Sequence, residues 1–157
     1  MTVRPFHPND AEALSAVYRR AVTELGPRGY TPPQVAAWLT LTPSPDRLLA
    51  TAGDGRVRLV SEGDGGQPVA FTDLEPDGHI DLLYCAPEAA GQGHASALYR
   101  ELERTARERG MERLYAEASE LSRDFFVRRG FTVLHVRRFE IAGVPVHNYA
   151  VEKRLAP

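Results

Sequence analysis

The sequence predicts an α/β fold: a mixed, mostly antiparallel sheet flanked by helices, in the order β-α-α-β-β-β-α-β-α-β-β. Three observations carry this. "RVRLVSE", "QPVAFTDLE" and "GHIDLLYCA" are strand-like runs parted only by Gly/Asp turns, the pattern of a meander of antiparallel hairpins. Behind them, Ala95, Leu98, Leu102 and Ala106 fall on one face of a helix, with Arg100, Glu103, Arg107 and Glu108 on the other. The chain then closes on a hairpin, "FTVLHVRRFEI" and "VPVHNYAVEK", turned at Ala142-Gly143.

The remaining elements follow from local signals. Thr2–Phe6 reads as a short strand. Asn9 and Glu12 have the spacing of a capping box, and Leu14, Val17, Tyr18, Ala21, Val22 and Leu25 continue at helical spacing until Gly26-Pro27. "YTPPQVAAWL" restarts a helix with Thr31 as N-cap and Pro32 at the first helical position. Thr40–Asp54, rich in Pro, Thr and Gly, reads as mostly loop. After the meander and the long helix, Gly110 supplies a C-terminal stop. "MERLYAEAS" is the next strand, and "LSRDFFVRR" a short helix halted by Gly130.

At 157 residues the chain is expected to form a single domain, 1–157, large enough for one buried core. A formal charge of -2 gives no overall pull toward nucleic acid or an anionic membrane, and no apolar run approaches the roughly 20 residues of a span. "MTVRPFHPND" lacks the apolar segment of a signal peptide. Cys85 is the lone cysteine, so no internal disulfide can form, and the five histidines have no ligand spacing. A cytoplasmic protein without a metal centre is expected.

The stretch "CAPEAAGQGHASALYRELE", Cys85 to Glu103, holds the strongest functional signal. Small residues at Gly91, Gly93 and Ala95 open the mouth of the long helix. The first turn of a helix offers up to four unpartnered N–H groups and the positive end of its dipole, so a phosphate or pyrophosphate suits this place. Two nucleotide readings compete. In a dinucleotide-binding unit the glycines follow the strand almost at once, and an acid, here Glu117, ends the next strand. "APEAA" stands between strand and glycine in this chain, and the preceding meander is no part of a βαβαβ half. The other reading is coenzyme A.

Here the sequence resembles the GNAT N-acetyltransferase superfamily over most of its length. The family's strand-loop-helix motif, V-x-P-x-x-R-G-x-G-x-G/A, aligns with Cys85-Ala86-Pro87-Glu88-Ala89-Ala90-Gly91-Gln92-Gly93-His94-Ala95. The short helix ending in Arg129-Gly130-Phe131 matches the family's Y-x-x-x-G-F segment. The resemblance implies acetyl-CoA as cosubstrate, its pyrophosphate held by the loop Gly91, Gln92, Gly93, His94, Ala95 and Ser96. It also implies a pantetheine arm pairing like a strand with the backbone of Leu83, Tyr84 and Cys85. Three departures stand out. The family's usual Arg or Gln is Ala90, its Tyr, often the general acid, is Phe126, and its common Asn partner is Ser119.

Acyl transfer to an amine needs the amine's proton removed, because an alkylamine with pKa ~10 is protonated at neutral pH. Asp81 is the first candidate base. It interrupts an apolar strand, and strand alternation places it on the face of Leu83 and Cys85, partly desolvated. Glu117, at the end of the neighbouring strand, is the reserve. Tyr84, Tyr115 and Tyr149 are possible proton donors, and a thiolate with pKa ~8.5 is a tolerable leaving group without one. Arg123, Arg128 and Arg129 could meet the nucleotide 3′-phosphate. The acceptor side is expected from Tyr30 and Trp38 around the second helix and from His147 and Tyr149 on the last strand. The expected reaction is acetyl transfer to a primary amine of a small molecule or peptide, with self-association into a homodimer left open. The rival is a CoA-binding sensor of the same fold that has lost its chemistry at Ala90 and Phe126.

Overall fold

The computed structural model describes residues 1–156. Its seven strands form one sheet in the order β1-β2-β3-β4-β5-β7-β6. They are β1 (Thr2–Pro5), β2 (Val57–Glu62), β3 (Pro68–Leu74), β4 (His79–Cys85), β5 (Arg113–Ala118), β6 (Thr132–Ile141) and β7 (Val144–Arg154). All neighbours are antiparallel except β4 and β5. The helices are α1 (Ala11–Leu25), α2 (Pro32–Leu39), α3 (Pro45–Thr51), α4 (His94–Glu108) and α5 (Arg123–Arg128).

The order corrects the sequence reading at one point: α3 lies in the segment expected to be loop. Ser44 accepts from the Arg47 N–H, Pro45 starts the helix, and Leu48 alone is buried from it. Seven residues with a single buried side chain leave no periodicity to read. The start of α1 also differs. The Asp10 carboxylate accepts from the His7 N–H, and His7 Nδ1 accepts from Asn9, so the capping box belongs to a 3-10 turn over Pro8–Asp10 and not to Asn9 and Glu12. At α2 Thr31 caps the helix and Pro32 opens it as expected, and Gln34 completes a capping box.

One face of the sheet packs Leu98, Leu102 and Ala106 of α4, with Phe126 and Phe131, on Leu74, Ile80, Leu114 and Val151. On the other face, Leu14 and Val17 of α1 and Leu48 of α3 cover Val60 and Phe71. A third small cluster joins Ala37 of α2 to Ile141 and Val146. α3 is further tied down by a buried ion pair. Arg58 holds Asp73 through two bonds of 2.9 and 3.0 Å and donates to Leu48 O and Thr51 Oγ1 at the helix.

Two irregularities of β4 position the site. The first is a bulge: Thr72 faces Leu83 but Leu74 faces Ile80, so two steps on β3 match three on β4. The second is a fork. β4 and β5 pair only at His79↔Tyr115 and Ile80↔Ala116. The backbone of β4 beyond that rung turns one edge to a neighbour that has moved away. The rung itself depends on Gly78 (φ +95), where a Cβ would stand 2.1 Å from Arg113 O.

Candidate active site

The loop after β4 passes a 3-10 turn, Pro87–Ala89, and reaches α4 through Gly91 (φ +76) and Gly93 (φ +89). Gly93 is the N-cap of α4 and no side chain caps it. Ala97 donates to Gly93 O, which leaves the N–H groups of His94, Ala95 and Ser96 as the open first turn. A Cβ at Gly91 would meet nothing within 4 Å, and one at Gly93 only the end of Met1 at 3.7 Å. The loop therefore presents bare backbone to open space.

Side chains around it are mostly turned elsewhere. His94, expected in the pyrophosphate loop, has its ring buried with Nδ1 2.7 Å from Ser61 Oγ on β2, so it can offer the loop mouth its backbone N–H and not its side chain. Gln92 donates back to Glu88 O, and Glu88 is held by Arg20. Ala90 offers no charge. One cation does arrive: Arg129, from the end of α5, donates to Ser96 Oγ and lies 3.5 Å over the Phe125 ring.

Between the parted strands opens a cleft of about 730 Å³, lined by Ile80–Cys85 of β4, by Ala116, Glu117 and Ser119, and by α1, α2 and the β6–β7 hairpin. On one wall Phe126 is buried edge-on against Phe125 and Phe131, with ring centroids 5.6 and 5.0 Å away, and its ring carries no hydroxyl. Ser119 and Ser122 line the same wall and bind each other through side chain and backbone. On the opposite wall Tyr84 packs on Tyr18 at 4.5 Å, its hydroxyl made less acidic by burial. Cys85 is half-buried and its thiol is pushed up to about 11 by desolvation, which suits a packing residue and not a nucleophile.

Asp81 and Glu117 are the residues immediately after the last paired rung, Ile80↔Ala116. Ile80 and Ala116 face the α4 side, so both carboxylates face the α1 side, and both line the cleft. The structure thus brings the two candidate bases together at the fork. It also corrects the placement of Asp81. The bulge shifts the alternation by one, so Asp81 lies opposite to Leu83 and Cys85 and close to Arg56, which donates to it at 3.2 Å and to Asp73 at 3.0 Å. The apolar setting expected for Asp81 is replaced by an ion pair with a partly open face. Glu117 accepts from His79 at 2.8 Å, and His79 reaches Glu75 at 2.8 Å with its other nitrogen. These two carboxylates raise His79 to about 9, and the His79 bond holds Glu117 below its ordinary range. Glu75, His79 and Asp81 offer atoms within 4.8 Å of one another, yet His79 spends both nitrogens as donors and has none to give a metal.

The residues expected on the acceptor side part company. Tyr30 and Trp38 line the cleft. His147 and Tyr149 do not: both bind Glu120, at 2.6 and 2.8 Å, and staple the segment after β5 to β7. Tyr115 is engaged by Asp77 outside the cleft. In their place stand Arg137, Phe139 and Asn148. Alternation along β6 could not assign Arg137 and Phe139 to the cleft, because β6 slips against β7 between Val133 and His135; on β7 Asn148 alternates with His147 and Tyr149 and faces the other way.

A sheet forked beside a glycine-opened helix defines the class of protein. Residues 28–153 match the family model described as an acetyltransferase (GNAT) domain, and the chain belongs to that family of acyl-CoA-dependent N-acetyltransferases. Among particular relatives, it is 30% identical over 147 residues to the uncharacterized N-acetyltransferase YafP of Escherichia coli K12, covering 94% of this chain and 91% of that one. In structure it resembles a GCN5-related N-acetyltransferase of Rhodopseudomonas palustris (TM-score 0.88, 28% identity, 98% of this chain and 95% of that one). It shares its fold with PaiA N-acetyltransferase of Thermoplasma acidophilum, solved with coenzyme A (TM-score 0.79, 18% identity, 98% of each chain).

Proposed function

We propose that this protein, acting as one domain over 1–157, moves the acetyl group of acetyl-CoA to a primary amine of a small molecule or peptide. The observation that carries this is the fork, with an anion-ready loop at one end and two carboxylates at the other. The cosubstrate supplies an activated acetyl group. The N–H groups from Gly91 to Ser96 receive its pyrophosphate, and Arg129 adds the charge that Ala90 does not. Leu83, Tyr84 and Cys85 offer their free backbone edge to the pantetheine arm, and an N–H of that edge meets the oxyanion.

Asp81 draws the ammonium group into the fork and takes its proton through water, with Glu117 in support. The amine nitrogen then bonds to the acetyl carbon, the carbon–sulfur bond breaks, the nitrogen sheds its second proton to water, and the thiolate leaves as such, because Phe126 has no proton to give. Binding of acetyl-CoA by titration calorimetry, followed by thiol release over an amine panel, tests the reading. Tight binding with no release on any amine would favour the second reading, a CoA-binding sensor, which the apolar ring of Phe126 supports.

The setting is proposed to be cytoplasmic. No helix among the described residues is long and apolar enough to cross a membrane, and the single cysteine needs no oxidising compartment. The acceptor amine is proposed as the principal partner, with no role for nucleic acid or membrane. A homodimer through the exposed Val133, Leu134 and Val136 of edge strand β6 would show in sedimentation.

A further inference from the structure

Acetyl transfer at Asp81 and Glu117 uses the carboxylates of the cleft and leaves Arg137 unexplained. Arg137 projects from β6 into the cleft and is half-buried. Its Nη1 donates to Asn148 Oδ1 at 2.8 Å, and its guanidinium lies 5.0 Å from the centre of the Phe139 ring. Asn148 is itself buried, 6% exposed, so the arginine is held by a fixed neutral amide. Arg56, Arg58 and Arg113 each hold a carboxylate directly. Arg137 has no carboxylate oxygen within 4.0 Å among the described residues. A guanidinium half out of water, positioned but with no carboxylate in direct contact, is a site prepared for an anion.

Its surroundings narrow the anion's carrier. Trp38 stands edge-on to Phe139 at 6.0 Å, and its buried Nε1 has no acceptor among the described residues. Tyr30 closes the same wall, 6.0 Å from Trp38. Glu117 lies close enough for Arg137 to add to the lowering of its pKa, so guanidinium and amine-binding carboxylate share one small space. We propose that the acceptor is a small zwitterion, an apolar or aromatic amino acid or its phosphonate analogue, whose oxyanion is bound by Arg137 while its amine meets Asp81 and Glu117. Arg47, exposed at the mouth and also lining the cleft, steers such an anion inward. This rests on the acetyl-transfer reading and names its substrate class.

Matched pairs test it: L-phenylalanine against 2-phenylethylamine, and L-methionine against 3-(methylthio)propylamine, each as acceptor with acetyl-CoA. The acid member is expected to have the higher kcat/KM by tenfold or more. Arg137→Gln should collapse that ratio toward one through KM, and Arg137→Lys should recover part of it. Asn148→Asp, which sets a carboxylate on Arg137, should collapse it in the same way if Arg137→Gln does not fold. Each probe is also titrated calorimetrically into the protein saturated with coenzyme A. Arg137-dependent binding of the acid members supports the proposal even where turnover is nil, in which case acetyl transfer is what fails. Equal or better use of the neutral amines, or an equal loss for both members in Arg137→Gln, overturns the zwitterion while leaving transfer intact.

Discussion

The two carboxylates at the fork differ in how free they are to act. Asp81 shares Arg56 with the fully buried Asp73, and 39% of its side chain is open to water. Glu117 is committed to a protonated His79. Asp81→Asn keeps the shape and removes the base, so acetyl-CoA should bind as before while transfer falls by roughly 10²–10⁴-fold at neutral pH. The loss should shrink at alkaline pH, where free amine is abundant without help. Glu117→Gln should cost less, and the reverse ranking in a pH–rate profile would hand base duty to Glu117. At Phe126 the prediction runs the other way. Phe126→Tyr brings a phenol to the wall where the leaving sulfur is expected, and thiol release should quicken. An unchanged rate in a stopped-flow thiol assay would mean that departure of the thiolate does not limit turnover.

Among the elements, the loop into α4 has an unfilled post. Ala90 is extended (φ -62, ψ 137), so any side chain fits its backbone. Ala90→Arg should tighten acetyl-CoA by about 1 kcal/mol, roughly fivefold, with the larger gain at low salt. Ala90→Glu should weaken it. Calorimetry at two ionic strengths reads both, and indifference to either charge would place the pyrophosphate elsewhere. A glycine replacement is a poorer probe, since the positive φ of Gly93 makes Gly93→Val strain the fold as well as the site. The strands and four of the five helices were legible because alternation, caps and glycine stops agreed. α3 was not, with one buried residue in its seven. The glycine loop could be read locally. The face of Asp81 and the presence of Arg137 could not, because each depends on a register slip that involves a second strand.

For the molecule as a whole, His79 couples stability to pH. Its pKa is raised from the ordinary 6.5 to about 9, so its contribution is fully present below 6.5 and is lost as pH rises through 9. The span corresponds to at most on the order of 3 kcal/mol, and the lowered Glu117 is the same bond seen from its partner, not a further gain. Thermal unfolding should therefore show Tm declining between pH 6.5 and 9, and His79→Gln should lower the acid-side Tm and flatten that decline. A parallel decline in the variant would locate the effect elsewhere. The fork sets a second property of the whole. With only two rungs between β4 and β5, the sheet is two panels, β1–β4 and β5–β7, hinged at one end and open at the other. A linear guest lying in the gap would act as an eighth, removable strand, stitching the panels together. Amide protons of Leu82–Cys85 and Glu117 that face the gap should exchange with deuterium quickly in the free protein and slowly once coenzyme A is added. The protein would then complete its own sheet only while its cosubstrate is in place.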